Sequence, residues 1–185
     1  PEKRPLSKSA AYFGGIGVGF ILVEMMAIQQ LSLVLGHPVY AASATLGLLL
    51  FSSGLGSWLS DRFPAHGARW ACWGVAAGAV ALAALTPTLG FLASLSLPAR
   101  AGMTLGVVGI AGGVMGMPFP LGLRRMVRGG GGVAWAWAAN GVASVMGASL
   151  AILLAMEVGA RLVLLFAALS YLVAGSVAGR NSSGP

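Results

Sequence analysis

Between Ala11 and Leu35 the chain carries one charged side chain, Glu24, in a run long enough to cross a bilayer. A helical crossing needs about 20 mainly apolar residues, because the hydrocarbon core is ~30 Å thick. Five more such runs follow, at roughly 38–60, 70–90, 100–123, 134–156 and 160–179. In lipid the backbone must satisfy its own N–H and C=O groups, and a helix does so within one segment. The sequence therefore predicts an all-α polytopic membrane protein, a bundle of about six transmembrane helices.

Composition excludes the soluble alternatives. Of 185 residues, 57% are hydrophobic and 8% charged, against about 25% charged in a soluble domain. The net charge of +7 does not imply nucleic acid, because the cations cluster at the ends of apolar runs, as in cytoplasmic loops. With the N-terminus inside, the inner segments hold Lys3, Arg4, Lys8, Arg62, Arg69, Arg124, Arg125, Arg128 and Arg180. The outer segments hold Arg100 and Arg161. That asymmetry predicts cytoplasmic termini. Trp58, Trp70, Trp73, Trp135 and Trp137 fall at inner helix ends, as an interfacial belt would. The organisation expected is a basic cytoplasmic segment at 1–10, a membrane domain at 11–179 and a cytoplasmic tail at 180–185. The lipid bilayer is the first partner.

The start, Lys3 to Lys8 followed by an apolar run, has the look of a signal peptide, with "VYA" at 39–41 as a cleavage site. A signal core is only about 7–15 residues long, so the run reads as a transmembrane helix. Opening on Pro1 rather than Met, the chain reads as a piece of a longer protein or as a processed one. Gly36-His37-Pro38 ends the first span, and "DRFPAHGAR" (61–69) is the polar loop after the second. "RRMVRGGGG" (124–132) follows the fourth, with its glycines as a flexible linker. Gly159 and Arg161 separate the fifth from the sixth. The stretch "TPTLGFLASLSLP" (86–98) reads as a loop, an interfacial helix or the end of span three. No cofactor or metal site is legible. His37 and His66 fall in loops on opposite sides, and the single cysteine, Cys72, reads as a small apolar helix residue.

Glu24 lies near the middle of the first span. An acid there costs about 2.5–3.5 kcal/mol on insertion scales. At 100° per residue Glu24 and Gly17 share one side of the helix, while Gly15, Gly19, Gln29 and Gln30 lie broadly on the other. A helix polar or small on two sides is expected at the centre of a bundle. Glu24, Gln29, Gln30, Tyr40, Asn140 and Ser144 are candidates to line a cavity or substrate path. Asn140 and Ser144 are also candidate partners of Glu24. The competing reading makes Glu24 and the glutamines interhelical hydrogen-bond glue.

Span four carries Gly102, Gly106, Gly109, Gly113 and Gly116 at 4-3-4-3 spacing. Such a stripe predicts close helix packing. Asn140, Ser144, Gly147 and Ala151 form a similar stripe in span five. Pro118 and Pro120 each remove a helix amide, so span four is expected to kink near its inner end or to stop before Arg124.

Two resemblances extend this reading. "GLGSWLSDRFPAHGAR" resembles the cytoplasmic loop motif of major facilitator transporters. Leu59, Ser60, Asp61 and Arg62 match its core, although Gly56 is one residue too far from Asp61 and the later basic residue, Arg69, is displaced. A six-helix unit would be half of such a fold. Across nearly the whole chain, "GFILVEMMAIQQLSLVLGHPVYAASATLGLLLFSSGLGS", "GMPFPLGLRR" and "AWAWAANGVASVMGASLAILLAMEVG" resemble the C-terminal membrane part of bacterial multi-pass spermidine synthase-like proteins. That resemblance implies the bacterial inner membrane and a cytoplasmic synthase-like domain as partner. It implies a non-catalytic membrane domain that anchors that partner and binds a polyamine-like or other small substrate. No strand followed by G-x-G-x-x-G is present to bind an S-adenosyl nucleoside, so this chain alone is not expected to be an enzyme. The alternatives are half of a facilitator-type transporter, working with a second six-helix unit, and a purely structural membrane module.

Overall fold

A computed structural model describes residues 6–86, 94–128 and 132–179. Most of the expected N-terminal and tail segments (1–5 and 180–185), residues 87–93 and the glycines at 129–131 lie outside the described residues. Within them the chain is helical throughout, in the order α1 (Leu6–Leu35), α2 (Pro38–Leu59), α3 (Ala68–Leu85), α4 (Leu97–Met115), α5 (Pro118–Arg128) and α6 (Val133–Gly179). Two short 3₁₀ turns at 60–62 and 65–67 join α2 to α3. Five segments are long and apolar enough to cross a membrane: 7–35, 38–62, 65–85, 97–128 and 133–179.

Local chemistry sets the boundaries. Gly36 takes a positive φ of 71° and its N–H donates to Ser32 O at 2.9 Å, closing α1. That left-handed cap suits glycine. Pro38 then opens α2, where its missing N–H is not needed. The α4–α5 break falls at Gly116–Met117, just ahead of the prolines. Pro118 and Pro120 occupy the first turn of α5, the part of a helix whose amides have no intrahelical acceptor. The expected break near the inner end of span four is found, α4 ending at Met115, but the chain does not then leave the helical state before Arg124. The prolines start a new helix, and Arg124 lies inside it.

The 47-residue α6 contains one non-helical residue, Gly159, with φ 78° and ψ 164°. This conformation is essentially reserved for glycine. Contacts with α1 show what it does. A Cβ built on Gly14 would lie 3.6 Å from Ala143 Cβ, and one on Gly15 would lie 3.3 Å from Ala174 Cβ. In a straight helix Ala143 and Ala174 would stand roughly 46 Å apart. Instead they meet neighbouring residues of α1. Along α1 the first limb of α6 advances from Asn140 at Gly17 to Gly147 at Ile21. The second retreats from Ala174 at Gly15 to Ala167 at Gly19. The limbs are antiparallel, folded back at Gly159.

Helix α1 packs against both limbs of α6 and against α2, α4 and α5. Its glycines make this close. Gly17 faces the first limb, and Gly15 and Gly19 face the second, Gly19 lying against the Tyr171 ring. The core around them is built from small residues and a few large ones, among them Phe13, Leu22, Cys72, Ala76, Ala167 and Tyr171.

The glycine stripe of α4 is used only in part. A Cβ at Gly102 or Gly106 would meet nothing within 4 Å, and both residues are exposed. Those two expected packing positions are corrected. Gly109 and Gly113 have room for a Cβ, with nearest atoms at 3.6 and 3.8 Å. The tight positions are Gly112 against Ser52 and Leu49, Gly116 against the Ser53 backbone, and Gly56 of α2 against the Gly113 carbonyl. Two physical reasons account for the difference. A straight helix drifts about 20° per heptad from a strict 3.5-residue repeat, which brings Gly112 into the contact line. Crossing helices also diverge away from their contact, leaving the Gly102 end open.

Candidate functional site

The two ends of the bundle differ in chemistry. At one end lie Lys8, the 60–67 turns, the start of α3, α5 and the end of α6. This end carries Arg62, Arg69, Arg124, Arg125 and Arg128. Arg100 and Arg161 belong to the other end. Arg124 clasps the α2–α3 connection. Its guanidinium pairs with the Asp61 carboxylate and donates to Ser60 O, with a longer contact to Phe63 O at 3.5 Å. Arg125 donates to Ala178 O and so ties α5 to the end of α6. Tyr12 Oη donates to Pro118 O at 2.7 Å, and its ring fills the space left by the missing Cβ of Gly122. Arg69 lies 4.0 Å from the Trp73 ring centroid, and Arg62 lies 5.1 Å from that of Trp58. Exposed Trp58, Trp70 and Trp137 surround this end.

Of the facilitator-like loop residues, Asp61 is engaged by Arg124, whereas Arg62 and Arg69 stack on tryptophans. Gly56 serves the α2–α4 contact rather than the loop. Arg124 is the member that residue counting missed. Its position, six residues beyond Pro118, reads as a flanking charge until the helix is known to restart there.

Toward the other end, α1, α2, α3, α4 and the second limb of α6 enclose a cavity of about 370 Å³. Its walls are apolar, including Met26, Leu49, Val108 and Leu164, with Gln30, Thr86 and Thr104 as the polar exceptions. Thr86 Oγ1 donates to Leu82 O and Thr104 Oγ1 to Arg100 O, both at 2.9 Å. Their hydroxyl protons are thus committed to their own helices. The Gln30 side chain makes no hydrogen bond among the described residues. A second hollow of about 210 Å³ runs between α3 and α4 and shares Val23, Leu82, Leu85, Val107 and Ala111 with the first.

The six candidate site residues do not converge. Gln30 lines the cavity, but Gln29 is exposed. Tyr40 is 67% exposed and packs on His37, ring centroids 4.7 Å apart. Asn140 and Ser144 contact α1 at Gly17, seven residues and so roughly 10 Å from Glu24 along the axis. Glu24 is buried, 9% exposed, and forms no hydrogen bond with any described residue. The pairing of Glu24 with Asn140 or Ser144 is corrected, because those residues meet α1 about two turns away, at Gly17. Thr86, Thr104 and neighbouring Arg100 were not singled out from sequence. Their signal was the polar residues flanking the loop at 86–98.

Similarity to known proteins adds no label. No family model, curated protein or solved structure matches the chain.

Proposed function

We propose that this chain is a non-catalytic integral membrane domain with six crossings. Its basic end faces the cytoplasm of a bacterium, where it anchors a synthase-like domain, and its opposite half carries a small-molecule cleft. The gathering of the described cations, apart from Arg100 and Arg161, with the tryptophans at one end of the bundle supports the orientation, and the synthase-like partner rests on the sequence resemblance. The antiparallel limbs of α6 supply the fifth and sixth crossings. The cleft lining favours an apolar or amphiphilic occupant over a polyamine, since a polycation finds no carboxylate among its residues. Cysteine labelling tests the topology in a Cys72→Ala background. A His37→Cys variant is expected to react with an impermeant reagent from outside, and a His66→Cys variant only after permeabilisation. Labelling of position 66 in intact cells would overturn the orientation.

A second reading, half of a facilitator-type transporter, draws on the Asp61–Arg124 pair in the facilitator-like loop. It requires a second six-helix unit or a dimer. The full reading frame separates the two: a synthase-like domain favours the anchor, and another six-helix repeat favours the transporter.

A further inference from the structure

The cavity and the α3–α4 hollow adjoin, both lined by Val23, Leu82, Leu85, Val107 and Ala111 on α1, α3 and α4, and we infer that together they make one groove. From Thr104 to Met115 along α4 the groove runs eleven residues, roughly 16 Å. One leaflet of hydrocarbon is half of ~30 Å, the depth of a single acyl chain. The groove opens sideways at Gly74, Gly78 and Ile110. Ile110 is 74% exposed, and a Cβ on either glycine would meet nothing within 4 Å. In a membrane-spanning bundle that opening faces lipid, so a chain can slide in without leaving the bilayer.

Arg100 lines neither the cavity nor the hollow but stands just beyond the cavity's Thr104. It lies in the first turn of α4, one turn outward from Thr104 on the same face. Side chains of a helix tilt toward its N-terminus, which carries the guanidinium to headgroup level. Its Nε is buried without a hydrogen-bond partner, and it forms no ion pair among the described residues. A guanidinium fork matches phosphate oxygens in pairs. The unbonded Gln30 amide adds donors in the cavity.

We propose that this groove holds one acyl chain of an anionic phospholipid whose phosphate sits at Arg100, the second chain remaining in the bilayer. The inference rests on the bilayer-spanning reading above. Failure of that reading would appear in the His37 and His66 labelling, independently of the experiment below.

The test places the chain in nanodiscs of phosphatidylcholine doped with a phosphatidylglycerol that carries a photoreactive group near its chain end. A matching phosphatidylcholine probe is the comparison. Cross-links are expected on Leu82, Val107 or Ala111, with the anionic probe favoured about five-fold, the effect of one surface cation on an anionic lipid. Arg100→Gln should abolish that preference, and Arg161→Gln, an exposed cation at the same end, should leave it intact. Gly78→Leu fills the open rim without a clash and should remove the groove cross-links while thermal unfolding is unchanged. Equal labelling by both probes would overturn the proposal. So would cross-links spread over the lipid-facing Leu50 and Phe51 of α2, or an Arg161→Gln effect equal to that of Arg100→Gln. Displacement of the phospholipid by an equimolar free fatty acid would overturn its assignment as a phospholipid.

Discussion

Single residues in this bundle act through backbone atoms more than through each other. Arg124 holds the Asp61 carboxylate, but Asp61 is 71% exposed, and exposed ion pairs contribute only about 0.2–1 kcal/mol. The bond from Arg124 to the Ser60 carbonyl fixes the turn itself. Tyr12 plays the same part for α5 through Pro118 O. Glu24 is the opposite case. It is buried, and no described residue bonds to it, so the structure gives no support to its role as interhelical glue. Glu24→Met keeps the side-chain volume and removes a polar group that is costly in hydrocarbon. Thermal unfolding in detergent should show stability unchanged or raised. A loss of more than about 1 kcal/mol, the worth of a hydrogen bond, would mean that a water or an ion meets the carboxyl. The sequence made Glu24 conspicuous by its depth, but depth does not reveal partners. Those depend on the rotation and height of neighbouring helices, which is why Asn140 and Ser144 proved to be two turns away.

Among helices, the α2–α4 crossing is where the structure tolerates least. Gly56, Gly112 and Gly116 bring backbone against backbone or against Ser52 and Ser53. Overpacking typically costs about 1–3 kcal/mol, and backbone cannot move aside as a side-chain tip can. Gly56→Ala is therefore expected to lower stability by at least that much. Gly102→Ala and Gly106→Ala should stay within about 0.5 kcal/mol, as substitutions away from contacts do. Equal losses at all three positions, measured by thermal unfolding in one detergent, would show that the open end of α4 is packed in solution. The glycine spacing announced that α4 would pack closely. It did not locate the crossing, because a stripe specifies a face and the partner helix determines which part of the face is covered. The α4–α5 break was legible for a sounder reason. Two prolines two residues apart leave few helical geometries, and a first turn is one of them.

For the whole molecule, an all-helical architecture with membrane-length apolar segments was legible from lipid thickness alone, although six runs were expected and five such segments are found, residues 133–179 being one of them. The central place of α1, whose glycines lie on two sides, was legible too. The groove was not legible. It arises where α3 and α4 diverge, and divergence leaves no mark on either sequence. The fold-back of α6 was only half legible, because Gly159 permits a turn and Arg161 marks an end, but neither says which way the second limb returns. The contacts with α1 do. Gly14 meets Ala143 of the first limb, and Gly15 meets Ala174 of the second, with Cβ separations of 3.6 and 3.3 Å. Disulfides need Cβ atoms about 3.5–4.5 Å apart, so both pairs are within reach after small adjustment. In a Cys72→Ala background, Gly14→Cys with Ala143→Cys and Gly15→Cys with Ala174→Cys should each cross-link under mild oxidation. The products are expected to be intramolecular and to migrate as monomers on a non-reducing gel. A straight α6 could form one of these bridges within a chain but not the other, since its two contact points would be roughly 46 Å apart. If only one pair cross-links within the monomer, the fold-back at Gly159 is wrong. If both do, α1 lies between two antiparallel limbs.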